Sequence, residues 1–270
     1  MLPERSISLH IGGLIANELD CTFSVQADLS DKPNVASIQV FGASEATRAA
    51  WSASAAGVEV RLQAGYRGQK LADIFRGKLR DINHKHEHAE WVTTISSGDG
   101  DEASATVAFN LSQGSSIQAA VARVARDLNL ATKDNKTLAG ITLANGAALF
   151  GKSMSELGRI TAQYGMRPTI QSGELVVVQD GKALPGRFVD VTTGLVGAPE
   201  VTTTAVSVKG QPQKKKQRQL KITHLMTADI RPGYLLEVGT EGRWLVKQVT
   251  WSGSTFGNDW YVTALCVPPV

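Results

Sequence analysis

Four groups of side chains in this sequence have the types and spacing to do chemistry. His84-x-His86-x-His88 would project three imidazoles onto one face of a strand, and a metal ion needs such convergence. No cysteine stands near it and its only acidic neighbours are Glu87 and Glu90, so a solvated polar loop is the simpler expectation. Asp99-Gly100-Asp101-Glu102 gathers three carboxylates around a glycine. It lacks the spaced oxygen ligands of a helix-loop-helix calcium site, and a turn between strands is expected instead. Glu156 has the chemistry of a glycosidase acid, but Ser153-x-x-Glu156 also reads as a capping box, with each side chain serving the other's backbone N–H. A hydrolase needs a second carboxylate at a set separation, which the sequence does not reveal.

The fourth group is basic. Lys209, Lys214, Lys215, Lys216, Arg218 and Lys221 fall in thirteen residues without an acid or an aromatic. Nucleic-acid sites pair such charge with stacking rings or a groove-entering helix. A solvated loop between two strands is expected, with contact to an acidic neighbouring protein preferred over contact with DNA. The chain also lacks a Gly-x-Ser-x-Gly elbow and a phosphate-cradling glycine pattern. The expectation is no catalytic residue, no cofactor-binding residue, no metal ligand and no cofactor.

The elements that would position these groups are mostly strands. Ile7 to Ile11, Phe23 to Val25, Ile38 to Val40 and Val58 to Leu62 alternate apolar and polar residues, as half-buried strands do. Ile74 to Leu79 and Trp91 to Ile95 follow, with a polar stretch between them, and Ser44 to Trp51 reads as a short surface helix. From Leu184 onward the same grammar returns in Phe188 to Val191, Tyr234 to Val238, Trp244 to Val249 and Trp260 to Leu265. In each arm a strand, a glycine-containing turn, a second strand and a further turn lead into a strand opening on tryptophan, Trp91 or Trp260.

Between the arms lies a different pattern. Ile117, Val121, Val124 and Leu128 mark one face of a helix, and Met154, Leu157, Ile160 and Tyr164 mark another, which Gly165 ends. Thr169-Ile170 and Leu175 to Val178 flank the turn Gln171-Ser172-Gly173-Glu174, a hairpin. The fold class expected is therefore β-rich α+β: two small β-barrel-like domains, residues 1–112 and 184–270, joined by a helix-helix-hairpin domain, residues 113–183. The helical segment is expected to set the distance between the arms.

At 270 residues, with 42% hydrophobic and 20% charged residues, the composition is that of an ordinary globular protein. A formal charge of +3 is too small to argue for nucleic acid. Cys21 and Cys266 sit in apolar stretches and are expected as buried free thiols. Neither a charged-then-apolar leader nor a long uncharged apolar run is present, so neither a signal peptide nor a membrane span is expected.

Pro33-Asn34-x-Ala36-x-Ile38, Ala64-Gly65-Tyr66, Ile74-Phe75-x-Gly77 and Asp99-Gly100 resemble the opening half of phage tail and baseplate hub proteins. Gly151-Lys152-Ser153 through Tyr164-Gly165 resembles their middle, and Thr193-Gly194-Leu195-Val196-Gly197-x-Pro199 and Pro232-Gly233 their last third. This family includes the late control protein D type and is similar in fold to the hub part of type VI secretion spike proteins. The chain departs from it in the lysine-rich run from Gln213 to Gln219 and in Gly42, where asparagine is frequent.

The resemblance implies a non-enzymatic structural hub. Its homotrimer would form a ring of six pseudo-equivalent barrels that adapts the sixfold tail tube to the threefold central spike around an axial channel. It implies as partners the tail tube protein or tube initiator, the central spike protein, other baseplate proteins and the tape measure protein, without membrane or specific nucleic acid. The place implied is the virion tail baseplate, assembled in the host bacterial cytoplasm. A second reading, a tail-tip component that binds or degrades peptidoglycan, would use the central segment as a glycan cleft and would need exposed aromatics and paired carboxylates.

Overall fold

In the computed structural model the described residues are 4–29, 33–99, 105–132, 138, 140–179, 184–206 and 215–269, with the side chains of residues 185, 206 and 215 excepted. The first arm runs β1 (Arg5–Ile11), β2 (Leu14–Asn17), β3 (Cys21–Asp28), β4 (Val35–Phe41), α1 (Glu45–Ser52), β5 (Glu59–Tyr66), β6 (Ala72–Glu87) and β7 (Glu90–Gly98). Period-two alternation does what it should here. Cys21, Phe23, Val25 and Ala27 of β3 point inward, as do Ala36, Ile38 and Val40 of β4 and Val60, Leu62 and Ala64 of β5. The Ser44 side chain caps α1 by accepting from the Thr47 N–H at 3.1 Å.

The second arm comprises β13 (Leu184–Val189), β14 (Leu195–Val206), β15 (Lys215–Leu225), β16 (Tyr234–Val238), β17 (Gly242–Ser254) and β18 (Trp260–Val267). The two arms are not held apart. They form one 13-stranded sheet in the order β14-β15-β18-β17-β3-β4-β7-β6-β5-β1-β2, with β16 paired to β17 and β13 paired in parallel to β16. The join is the antiparallel ladder of β17 on β3, from Gln248 opposite Asp28 to Ser254 opposite Thr22. A single apolar core runs from Ile7 and Leu9 through Phe23 and Ile38 to Trp251, Trp260 and Cys266. The spacing of the arms is thus set by backbone hydrogen bonds between them, a role the sequence reading gave to the helical segment.

The first arm's meander also curls. Five strand spacings separate β3 from β1, about 24 Å in a flat sheet. Yet the Arg5 guanidinium of β1 donates to the carbonyls of Ser254, Gly257 and Asn258 in the loop that leaves β17, where β17 lies against β3.

The central unit has its own core. It contains α2 (Ile117–Asp127), β9 (Ala131–Thr132), β10 (Ala147–Lys152), α3 (Ser153–Ala162), β11 (Met166–Gln171) and β12 (Glu174–Gln179). It also takes in β8 (Thr106–Leu111), which pairs with β10 and buries Val107 among the helices, although the sequence reading ended the first arm at residue 112. Ile117, Val121, Val124 and Leu128 are all buried, as their spacing predicts. Tyr164 packs at the edge of this core, and its hydroxyl donates to the Thr142 carbonyl at 3.1 Å. The β11–β12 turn places Ser172 and Gly173 at φ of 52° and 77°. Two positive values in a two-residue loop make the primed turn that suits a twisted hairpin.

Among the described residues no helix is long and apolar enough to cross a membrane. Cys21 and Cys266 are free and buried, and burial pushes both thiols up to about 12. Such thiols are chemically quiet.

Candidate functional site at a buried polar junction

The best-built polar constellation lies where the first arm meets the central unit. Val35 pairs with Gly98 in the β4–β7 ladder, which brings Asn34 and Asp99, one step beyond each strand, side by side. Asp99 accepts from the Asn34 N–H at 2.9 Å with one carboxylate oxygen and from the Asn34 side-chain amide at 2.7 Å with the other. The second oxygen also accepts from the Ser172 N–H at 3.1 Å, at the tip of the β11–β12 turn. The Asn34 amide reaches the Ile170 carbonyl at 3.0 Å, and its Oδ1 accepts from the Asp28 N–H at 3.0 Å. Gln171 completes the set by donating to the Asp28 carbonyl at 2.7 Å and to Thr169 at 3.0 Å.

Asn34, Asp99, Thr169 and Gln171 are all buried. A buried carboxylate is tolerable because its oxygens are met by oriented N–H donors. The arrangement contains no nucleophile and no metal-ligand geometry. What it can do is fix the hairpin, and with it the central unit, on the edge of the sheet. Beside it opens a cleft of about 220 Å³ lined by Arg76, Lys78, Asp99, Leu130 and Gly173, in which Arg76 is already engaged by Glu59 at 2.7 Å.

The groups singled out in the sequence go elsewhere. His84-x-His86-x-His88 is not a loop: β6 and β7 continue through it as a hairpin that turns at His88, whose φ is 56°. His84 bonds the hydroxyls of Thr93 at 2.9 Å and Ser52 at 2.8 Å, and burial, with Arg48 nearby, lowers its pKa. His86 meets Trp91 edge to face at 5.2 Å between ring centroids, and Arg48 covers the same indole at 4.4 Å. Among the described residues no group of three or more His, Cys, Asp or Glu could hold a metal ion. Of the Asp99-Gly100-Asp101-Glu102 cluster only Asp99 lies within the described residues.

The capping box at Ser153 does not form. Lys152 is the N-cap and makes no side-chain cap bond, while the Ser153 hydroxyl donates to the Ala105 carbonyl at 2.6 Å. Glu156 instead accepts from Arg159 at 2.8 Å, and that hydrogen bond lowers its pKa. A glycosidase acid needs the opposite shift. The basic run is also less of a loop than expected. Lys215, Lys216, Arg218 and Lys221 belong to β15, Lys221 lies 3.5 Å from Glu200, and Arg218 stacks over Trp244 at 5.5 Å. Lys209 and Lys214 lie outside the described residues.

Several glycines quoted for the resemblance are explained by close approach. A Cβ on Gly77 would come within 2.5 Å of the Gly98 carbonyl oxygen. One on Gly194 would lie 2.8 Å from the His224 ring, and one on Gly233, at a φ of 87°, would lie 3.1 Å from Val178 of the central unit. Asn34 and Asp99 were likewise visible as family residues, but Gln171 and Ser172 had no signal beyond their turn.

A curled β-meander pair with an inserted helical unit is a fold shared with phage tail proteins. The 43 kDa tail protein of prophage MuSo2 from Shewanella oneidensis is similar over 98% of each chain, with a TM-score of 0.66 at 11% identity. The tail protein from Neisseria meningitidis MC58 is similar over 98% of this chain and 97% of its own, with a TM-score of 0.63 at 11% identity. The E. coli c3393 protein, a component of the type VI secretion system with structural similarity to the T4 tail proteins gp27 and gp5, covers 96% of this chain with 76% of its own. Its TM-score is 0.57 at 15% identity. At these identities the likeness establishes the fold. By sequence the chain matches no individual curated protein.

The family is settled by residues 14–231, which match the baseplate hub gp41 family. The chain belongs to that family and is a structural protein of the phage tail baseplate.

Proposed function

We propose that this chain is a non-enzymatic hub whose homotrimer forms a ring of six pseudo-equivalent barrels around an axial channel. The ring joins the sixfold tail tube above to the threefold spike below. The observation that carries this reading is the β3–β17 ladder: it locks two similar meanders into one rigid body, so three copies offer six alike faces at fixed spacing. The divisions at residues 1–112, 113–183 and 184–270 correspond to the two faces and the central unit between them, with β8 of the first division joined to the central unit. Its partners are the tail tube protein or tube initiator, the central spike protein, other baseplate proteins and the tape measure protein. The chain is assembled in the host cytoplasm and functions in the virion.

The polar junction supports a structural role, since its donors and acceptors are met within the chain. Electron microscopy of the purified chain tests the reading. Threefold rings with six density lobes around a hole are expected, and particles without threefold symmetry would overturn it. A peptidoglycan zymogram is expected to stay dark.

A further inference from the structure

The two ends of the large sheet are β14 and β2, and each has one edge without a strand partner among the described residues. At one end β15 pairs with β18 only from Leu220 to Leu225, while its pairing with β14 continues out to Val206 opposite Lys215. Residues 201–206 and 215–219 therefore continue past β18 as a two-stranded ribbon, which meets the body where Arg218 stacks over Trp244. A lone two-stranded ribbon is marginal in water, and an open edge is a template for another strand. Residues 201–205 are all exposed, and the apolar Val196 and Val201 are 38% and 40% exposed. Lys216, Arg218 and Lys221 make this end basic, with Glu200 its one acid.

The other end has the opposite character. The four residues of β2 pair only with β1, and its Leu14 and Ile15 are 38% and 62% exposed. The chain leaving β2 carries the exposed acids Asp20 and Glu18, the latter 3.5 Å from Arg67. Each end thus presents unpaired backbone and bare apolar side chains, one beside positive charge and one beside negative.

We propose that the β14 edge of one copy takes the β2 edge of the next copy as an added strand, and that this contact closes the ring. The proposal rests on the ring reading above and specifies its interface. A second copy is the occupant because the complementary edge is on the same chain. Pairing β14 with another β14 would set two basic ribbons side by side, which like-charge repulsion disfavours. A contact between two different patches generates a ring when its rotation closes, whereas a patch meeting itself gives only a dimer. Side chains on alternate residues supply the specificity: Val201 and Ile15 remove apolar surface, with Lys216 on the basic side and Asp20 on the acidic side.

The test is disulfide capture in the full chain. Ile15→Cys is combined in turn with Thr202→Cys, Thr203→Cys and Thr204→Cys, with Gln118→Cys on α2 as the control partner. Cys21 and Cys266 stay silent because burial pushes their thiols up to about 12. Mild oxidation should give a covalent ladder ending at the ring species for at least one threonine position and none for the control. In sedimentation, Ile15→Lys should weaken ring assembly by about tenfold or more, and Ile15→Asp should weaken it less. Circular dichroism should leave both variants folded, since Ile15 is 62% exposed. Threefold rings that form without any cross-link and ignore both Ile15 variants would overturn the interface and leave the ring reading standing. A wild-type chain that sediments as a monomer at every concentration would overturn both.

Discussion

The first arm is attached twice, by two different kinds of bond. Its joint to the second arm is a backbone ladder, β3 on β17, packed on its inner face by rings: Phe23 lies over Gly253, and Phe23 and Trp260 meet edge to face at 5.5 Å. Its joint to the central unit is a small network of buried side chains around Asn34 and Asp99. A ladder with a buried face cannot slip by one residue without turning its whole apolar set outward. A polar network can be lost residue by residue, each loss leaving an unmet group. The two arms should therefore behave as one rigid body, and the central unit as an attachment that can be loosened alone.

The sharpest way to break the comparison is at Gly253. A Cβ there would lie 2.2 Å from the Phe23 ring and 2.9 Å from Trp260. Gly253→Val should cost about 3 kcal/mol or more, since overpacking at a backbone joint has little room to relax. Thermal unfolding by tryptophan fluorescence should show both arms destabilised together, because Trp51 in one and Trp251 in the other share one core. Independent melting of the arms would refute the single-body description.

Asn34→Ala should come next. It removes the side-chain donor to Asp99 and the acceptor for the Asp28 N–H, leaving a buried carboxylate short of a partner. The expected loss is about 2–3 kcal/mol. Hydrogen exchange should show it first in β11 and β12, with β3 and β17 still protected. Equal loosening of all four strands would mean the two joints are not separable.

Acid offers a third probe from within the second arm. His224 is buried beneath Gly194, its Nδ1 lies 2.7 Å from the Leu225 carbonyl oxygen, and burial lowers its pKa from the ordinary 6.5. The neutral ring suits the folded state, so its stability is fully present above about 6.5 and is lost as pH falls toward the lower folded value. His84 shifts the same way, so the contribution of His224 is the difference between wild type and His224→Gln. Melting temperatures from pH 7.5 to 5 should fall more steeply for wild type, and the first arm should weaken along with the second. A parallel pair of curves would remove His224 from the account.

These two joints differ in how far they could be read from sequence. Strands were visible because Val60-x-Leu62 and its like carry the inside-outside alternation in the chain itself, and the central helices because Ile117, Val121 and Val124 share a face. The β3–β17 ladder was not, because pairing between residues more than 200 positions apart leaves no local periodicity. Nor does a sequence say that Gly253 has a ring above it. Local motifs misled where a longer-range partner won. The Ser153 hydroxyl found the Ala105 carbonyl rather than its own helix end, and Glu156 found Arg159. Asn34 stood out only through the resemblance and Asp99 through it and as one of three clustered carboxylates, but nothing joined the two, since their proximity depends on β4 pairing with β7.

The smallest effect expected runs in the stabilising direction and sharpens the polar joint instead of breaking it. Ser172 holds a φ of 52°, which costs a serine more than an asparagine or a glycine, and its contribution to the network is its backbone N–H to Asp99. Ser172→Asn keeps that donor and turns Ser172-Gly173 into the Asn-Gly pair that the primed turn prefers. A gain of about 0.5 kcal/mol is expected, read as slower exchange in β11 and β12 with the β3–β17 ladder unchanged. If the gain instead spread equally to the arms, the hairpin would be coupled to the sheet by more than the Asn34–Asp99 network. The contrast between a rigid pair of arms and a separately fastened central unit would then have to be given up.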